Sequence, residues 1–265
     1  MKVGLIDVDG RGFPNIALMK ISEFHKRRGD SVEWYNPMFS EHMDRVYMSK
    51  VFSFSPDYNF YIDADEVIKG GTGYCIRLED GLEVYNKALD RKLPYDVEHI
   101  YPDYSLYNIS NTAYGFMSRG CPRKCSFCHV KDKEGTCSEK VSNLSEFWNG
   151  QKYIQLCDPN TLACKEWESI LLQLVRSKAY VDFNQGLDIR LMNEEKAELI
   201  KQIKIKRLHF AWDNYRDKDL ILPKFEMFKK ITNINFRNLT VYVLINFDTT
   251  TEEDLESLHF KRTWL

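Results

Sequence analysis

Three of the seven cysteines crowd into one stretch, Gly120-Cys121-Pro122-Arg123-Lys124-Cys125-Ser126-Phe127-Cys128. Their spacing is C-x3-C-x2-C. Three thiolates on one tight loop can converge on a metal centre, and the neighbouring Arg119, Arg123 and Lys124 are expected to favour the thiolate form. The same cations would offset the negative charge of a ligated cluster. Three kinds of centre are open on these residues. A structural zinc site takes four ligands, so Cys137 or His129 would complete it. An electron-transfer [4Fe–4S] cluster takes four Cys, again with Cys137. A [4Fe–4S] cluster on Cys121, Cys125 and Cys128 alone leaves its fourth iron open, as a catalytic metal must be. Cys75, Cys157 and Cys164 stand singly beside apolar residues and read as small buried hydrophobes. His25, His42, His99, His209 and His259 form no spacing that suggests a metal.

Composition narrows the setting. The 265 residues carry 37 Lys+Arg against 39 Asp+Glu, a net charge of −2, so no broad field steers nucleic acid or an anionic membrane. Nucleic acid is therefore not indicated as a partner, although a local basic groove is compatible with this balance. With 43% hydrophobic and 29% charged residues the chain is an ordinary globular one. No apolar stretch approaches the roughly 18 residues that span a bilayer, so no membrane partner is expected. Asp7 and Asp9 interrupt the apolar run Val3–Ile6, which predicts no signal peptide and a cytoplasmic protein. In that reducing compartment an odd number of cysteines points to ligands or catalytic groups rather than disulfides.

The elements that must position the cysteines alternate between strand and helix. Lys2–Val8 reads as a buried strand, Ile16–Arg28 as a helix stopped by Gly29, Ser31–Tyr35 as a strand and Glu66–Ile68 as another. This pattern predicts a small, mostly parallel α/β domain. Residues 90–110, with Pro94, Pro102 and four Tyr, read as a connector between domains. A second part starts near Asn111, with strands at Ala113–Met117, Tyr153–Leu156, Tyr180–Phe183, Arg207–Trp212 and Thr240–Phe247. Helices are expected at Cys164–Arg176, from the cap Asn193 to about Ile203, and at Lys224–Ile231, with a Thr250/Glu253 capping box opening a last one. Repeated βα units point to an open parallel sheet or a barrel, with too few strands to close an eight-stranded one. The chain stops soon after this helix begins, so the second part is expected to be incomplete at its C-terminal end.

The C-x3-C-x2-C motif, with Phe127 before the last Cys and on the loop after the first strand of a βα domain, resembles the radical S-adenosylmethionine (SAM) superfamily. The resemblance implies a partial (βα)6 barrel over residues 109–265. It also implies a [4Fe–4S] cluster on Cys121, Cys125 and Cys128, whose open iron chelates the amino and carboxylate groups of SAM. One electron, from a donor such as flavodoxin or ferredoxin, cleaves SAM to methionine and a 5′-deoxyadenosyl radical. That radical takes a hydrogen atom from a substrate the sequence does not identify. By the same resemblance Phe127 packs near the adenine or in the core. Asp158 and Asn160 stand where the family's Gly-Gly-Glu type motif holds the SAM amino group. Asp158 would accept from the ammonium, and Asn160 is either a second contact or a turn residue. Gln185, Asp188 and Arg190 follow the third strand at the barrel mouth. Arg190 suits the SAM carboxylate or an ion pair with Asp188. Trp212, Asp213, Asn214, Asn246 and Asp248 are candidates by position at later strand ends.

Residues 1–108 resemble the Rossmann-like, cobalamin-binding domain of B12-dependent members of that superfamily. Asp7-Val8-Asp9-Gly10-Arg11-Gly12 stands where one type of cobalamin domain has Asp-x-His-x-x-Gly, with Asp9 in place of the cobalt-ligating His. Gly70-Gly71-Thr72-Gly73 resembles the glycine segment that approaches the corrin tail. Cobalamin is thus a candidate cofactor, the alternative being glycines that serve only as turns. Cys75 stands alone before Cys121, so no second Cys triad of the methylthiotransferase kind is present, and no cysteine follows Cys164. The rival reading of the whole chain is a non-catalytic Fe–S or zinc-binding module that contacts nucleic acid or protein through Arg119, Arg123 and Lys124.

Overall fold

Apolar runs too short for helices become the central strands of two parallel sheets. The computed structural model describes residues 1–10, 12–79 and 82–264. Contacts divide the chain into two units, Met1–Ser110 and Asn111–Leu265. Both are mixed α/β.

In the first unit, β1 (Lys2–Asp7) is followed by α1 (Ile16–Arg27), β2 (Ser31–Trp34), β3 (Met43–Ser49) and β4 (Ala64–Gly70). The strand order is β2-β1-β3-β4 and every pair is parallel. The Asn15 side chain starts α1 by accepting from the Leu18 amide at 3.2 Å, while its amide group donates to the Ser49 hydroxyl at 2.8 Å. Val3 and Leu5 of β1 pack against Leu18 and Ile21 of α1. Ile6, Val46 and Met48 form a second cluster with Tyr35 and Met43. A short helix, α2 (Thr72–Cys75), leads into an antiparallel hairpin of β5 (Ile76–Glu79) and β6 (Leu82–Tyr85). The stretch 90–110 is not a connector between domains. It holds α3 (Tyr95–Glu98) and folds back onto its own unit, because Asp103 accepts from Ser22 at 2.7 Å and Lys26 at 2.6 Å, and the Trp34 indole donates to the Leu106 carbonyl.

The second unit begins with β7 (Thr112–Gly115) and β8 (Ser118–Arg119), then α4 (Val130–Lys133) and β9 (Glu139–Lys140). Four βα steps follow: β10 (Tyr153–Leu156) and α5 (Trp167–Ser177), β11 (Tyr180–Leu187) and α6 (Glu194–Lys201), β12 (Lys204–Trp212) and α7 (Lys218–Thr232), β13 (Leu239–Val243) and α8 (Thr251–Trp264). The five long strands lie in the order β13-β12-β11-β10-β7, all parallel. Ala113, Ile154, Leu156, Val181, Phe183, Leu208, Phe210 and Val241 are buried on one face of this sheet. Helix α7 covers part of that face, with the Phe210 ring edge-on to Phe225 and Phe228 at 5.4 and 5.3 Å. By the two-residue period of a strand, the opposite face carries Tyr114, Gln155, Asp182, Asn184, His209 and Tyr242.

Several boundaries differ from the sequence expectation, three of them for a visible reason. Helix α7 begins at Lys218 rather than Lys224, because Pro223 inside it interrupts the helical pattern without ending the helix. Strand β11 continues past Phe183 to Leu187 through a register shift, with Gly186 at φ +86°. Strand β13 stops at Val243, and Asn246 and Asp248 take left-handed backbone in the turn that follows. Thr250 and Glu253 make the expected reciprocal cap, each backbone N–H donating to the other's side chain. Among the described residues, no helix is long and apolar enough to cross a membrane.

Gly115 ends β7 where a Cβ would lie 2.4 Å from the buried Phe147 ring. Gly115→Ala must displace that ring, so a loss of roughly 1–3 kcal/mol is expected in urea denaturation followed by tryptophan fluorescence.

Candidate metal centre

The cysteine loop leaves the C-terminal end of β7 and is anchored twice. The first anchor is Asp158, just past β10 and only 3% exposed. Its two oxygens accept from the Met117 amide at 2.7 Å, the Ser118 amide at 2.8 Å, the Ser118 hydroxyl at 2.6 Å and the Thr161 hydroxyl at 3.3 Å. Burial pushes its carboxyl up to about 6, against the pull of those hydrogen bonds. The second anchor is the two-residue antiparallel ladder of β8 and β9, which closes the loop at its base. There Gly120, at φ +83°, presses against the Cys137 carbonyl, and a Cβ on it would sit 2.0 Å from that oxygen. Only glycine fits this crossing.

Within the loop, the Cys128 amide donates to the Cys125 carbonyl at 3.2 Å, the Cys121 amide to the Gly135 carbonyl at 3.1 Å, and the Lys131 ammonium to the Cys125 carbonyl at 3.2 Å. Cys125 feels Cys121 and Cys128, and Cys128 feels Cys121. Burial is the largest influence raising Cys125, and charge on Cys128 and Cys121 adds to it. Burial likewise dominates the upward shift of Cys128, with Cys121 adding. The expectation that Arg119, Arg123 and Lys124 favour the thiolate is thereby corrected for these two cysteines. Arg119 lies over the Phe116 ring and pairs with Glu134 at 3.1 Å, and Arg123 pairs with Asp188 at 2.7 Å. The cations that pull the thiols down are Arg190 for Cys125 and Lys131 for Cys128, and burial outweighs both. Among the described residues, no group of three or more His, Cys, Asp or Glu is gathered so as to hold a metal ion. The trio shares one loop and one electrostatic neighbourhood without forming a preassembled ligand cage.

Strand ends from the rest of the sheet surround the loop. Asn160 is 3% exposed, and its amide nitrogen donates to the Cys121 sulfur at 3.3 Å and to Asp188 at 3.4 Å. Among the described residues its side-chain carbonyl oxygen is buried without a hydrogen-bond partner. Asp188, past β11, binds Arg190 and Arg123, each at 2.7 Å. Burial alone would raise this carboxyl, but the two guanidinium groups outweigh it and hold it below the usual carboxylate range. Arg190 also reaches Asp217 at 3.0 Å. Asp213, past β12, is raised mainly by burial and also by Asp188 and Asp217, with Arg190 opposing. Among the described residues it has no hydrogen-bond or ion-pair partner, although it acts electrostatically on both Cys125 and Cys128.

The remaining expected site residues divide. Phe127 is 46% exposed and stands edge-on to Phe247 at 5.4 Å. Gln185 is exposed on the β11 irregularity. Asn214 caps the turn Tyr215–Asp217, and the Asn246 amide donates to Asp254. Cys137 is exposed, whereas Cys75 and Cys164 are buried. Burial pushes the Cys157 thiol up to about 12. Asp217 went unforeseen, because nothing in its local sequence marks a partner for a guanidinium 27 positions away.

In the first unit, the residues do not fit cobalamin. Both oxygens of Asp9 accept from backbone, the Val51 and Phe52 amides, so this carboxylate is a loop clamp. A Cβ on Gly71 would lie 2.3 Å from the Lys50 carbonyl, and one on Gly73 would lie 2.6 Å from the Phe52 carbonyl. The chain itself fills the space these glycines leave open. Comparison with protein-family models and with curated protein sequences gives no match.

Two outcomes follow from this geometry. Thiols held protonated must lose protons to bind metal, so anaerobic iron loading is expected to grow faster and more complete from pH 7 to pH 9, read by absorbance and iron content. Asp158→Ala leaves two buried backbone donors without acceptors. A loss of roughly 2 kcal/mol or more in urea denaturation, together with impaired metal loading, is expected.

Proposed function

We propose that the second unit is a radical SAM domain, its five-stranded sheet forming the partial barrel, in a cytoplasmic enzyme whose substrate is not identified. The observation that carries this reading is the company the three thiols keep at the C-terminal strand ends. A buried, unpartnered amide oxygen, an unpaired carboxylate and a guanidinium all lie beside them. Those are the groups an amino acid head requires. The donor set fits a [4Fe–4S] cluster on Cys121, Cys125 and Cys128, with Cys137 more exposed than any of the three. When bound, the cluster supplies one electron that splits SAM into methionine and a 5′-deoxyadenosyl radical.

The chain's own residues do the binding and orienting. Asn160 donates to the Cys121 sulfur and offers its free side-chain carbonyl oxygen to an incoming N–H. Asp213 supplies the negative charge for an ammonium. Arg190, oriented by Asp188 and Asp217, presents its guanidinium to a carboxylate. Phe127 and Phe247 offer an aromatic corner for an adenine. Asp158 keeps the role of positioning residue, because its oxygens already serve the loop.

Anaerobic reconstitution tests the reading. About four irons per chain and dithionite-dependent release of 5′-deoxyadenosine are expected, with both retained in Cys137→Ala. Bound zinc, or iron without SAM cleavage, would favour a non-catalytic module instead. Asp213→Asn is expected to weaken SAM binding by about tenfold or more at unchanged iron content, measured by equilibrium dialysis.

A further inference from the structure

Beneath the strand ends, the polar face of the second sheet buries two acceptors that nothing in the cysteine site uses. Asp182 of β11 is 6% exposed and His209 of β12 is 9% exposed. The His209 Nε2 lies 3.5 Å from Asp182 Oδ1, too poorly placed for a hydrogen bond. Among the described residues, Asp182 Oδ1 and His209 Nδ1 are both buried and without hydrogen-bond partners. In the neutral tautomer with its proton on Nε2, toward Asp182, the imidazole carries a lone pair on Nδ1. Both orphaned atoms are then acceptors, and a buried acceptor left unmet is destabilising.

Among the described residues, no cation other than His209 hydrogen-bonds or ion-pairs with the Asp182 carboxylate, and Arg207, its register neighbour on β12, is exposed. Gln155, its register neighbour on β10, donates to Asn184 at 2.9 Å. Tyr114 and Cys157, which both feel the Asp182 charge, are uncharged near neutrality, since burial raises both. Tyr242 stacks flat on the His209 ring at 5.6 Å with 7° between planes, and it is 57% exposed.

We propose that Asp182 and His209 form a binding site for an organic cation rich in N–H donors, an ammonium or guanidinium group, reached by displacement of Tyr242. A water molecule would satisfy the hydrogen bonds but not the charge. A metal ion would require a third ligand, and among the described residues no such group of three is gathered. A cationic N–H donor meets the carboxylate and the imidazole lone pair together. The inference does not depend on the cluster, so it stands or falls separately from the radical SAM reading.

Isothermal titration of the full chain as purified tests it, with agmatine as the probe. The comparison ligands are choline, a cation without N–H donors, and 1,4-butanediol, which is uncharged. Saturable binding of agmatine is expected, with the other two weaker by about tenfold or more. His209→Phe keeps a ring against Tyr242 and removes the acceptor, and Asp182→Asn keeps the shape and removes the charge. Each variant that retains the wild-type circular dichroism spectrum is expected to bind agmatine about tenfold more weakly. Absence of saturable agmatine binding, equal binding of choline, or wild-type affinity in either folded variant overturns the proposal.

Discussion

A buried carboxylate held by four hydrogen bonds decides where the cysteine loop can begin. Asp158 gathers the Met117 and Ser118 amides, the Ser118 hydroxyl and the Thr161 hydroxyl around one point past β10. It thereby ties the exit of β7 to the end of the neighbouring strand. The Gly120–Cys137 crossing then fixes the base of the loop by forbidding a side chain. Between these constraints the thiols have little choice but to face the C-terminal ends of β10, β11 and β12. The carboxylate stays buried at a cost in its own ionisation, which shows how strongly the surrounding donors specify its place.

Charge reaches the site through Asp188. It bridges Arg123 of the cysteine loop and Arg190 of its own strand end, and Arg190 passes the connection to Asp217. The network pairs both guanidinium groups with carboxylates. It also leaves the thiols governed by burial, so metal binding and proton release must be coupled. Asp213 is the exception, a carboxylate with no hydrogen-bond or ion-pair partner among the described residues that acts on two of the cysteines.

Much of this was legible in the residues. Short apolar runs such as Val3–Ile6 and Tyr153–Leu156 mark buried strands, and Asn193 marks a helix start that its side chain makes through the Lys196 amide. The cysteine spacing singled out the loop. What local pattern could not carry was pairing at long range. Asp158 reads as a ligand until its donors, about forty positions upstream, are seen. Arg119, Arg123 and Lys124 read as a thiolate-stabilising cluster until two of them are found committed to Glu134 and Asp188. Asp9 reads as a substituted metal ligand until it closes on the Val51 and Phe52 amides. His209 was passed over because its partner, Asp182, is on the adjacent strand, a proximity that sequence spacing does not encode.

In the first unit the same kind of packing closes the glycine segment on β3's exit, so its glycines are explained by the approach of Lys50 and Phe52. The chemistry proposed for the chain therefore rests on the second unit and on one vacancy, a cluster iron that no protein side chain occupies. Electron paramagnetic resonance of the reduced, reconstituted protein, recorded before and after addition of SAM, addresses that vacancy directly. A shift of the cluster's g-values on SAM binding, preserved in Cys137→Ala, is the expected result. A spectrum that SAM leaves unchanged would contradict an open coordination site.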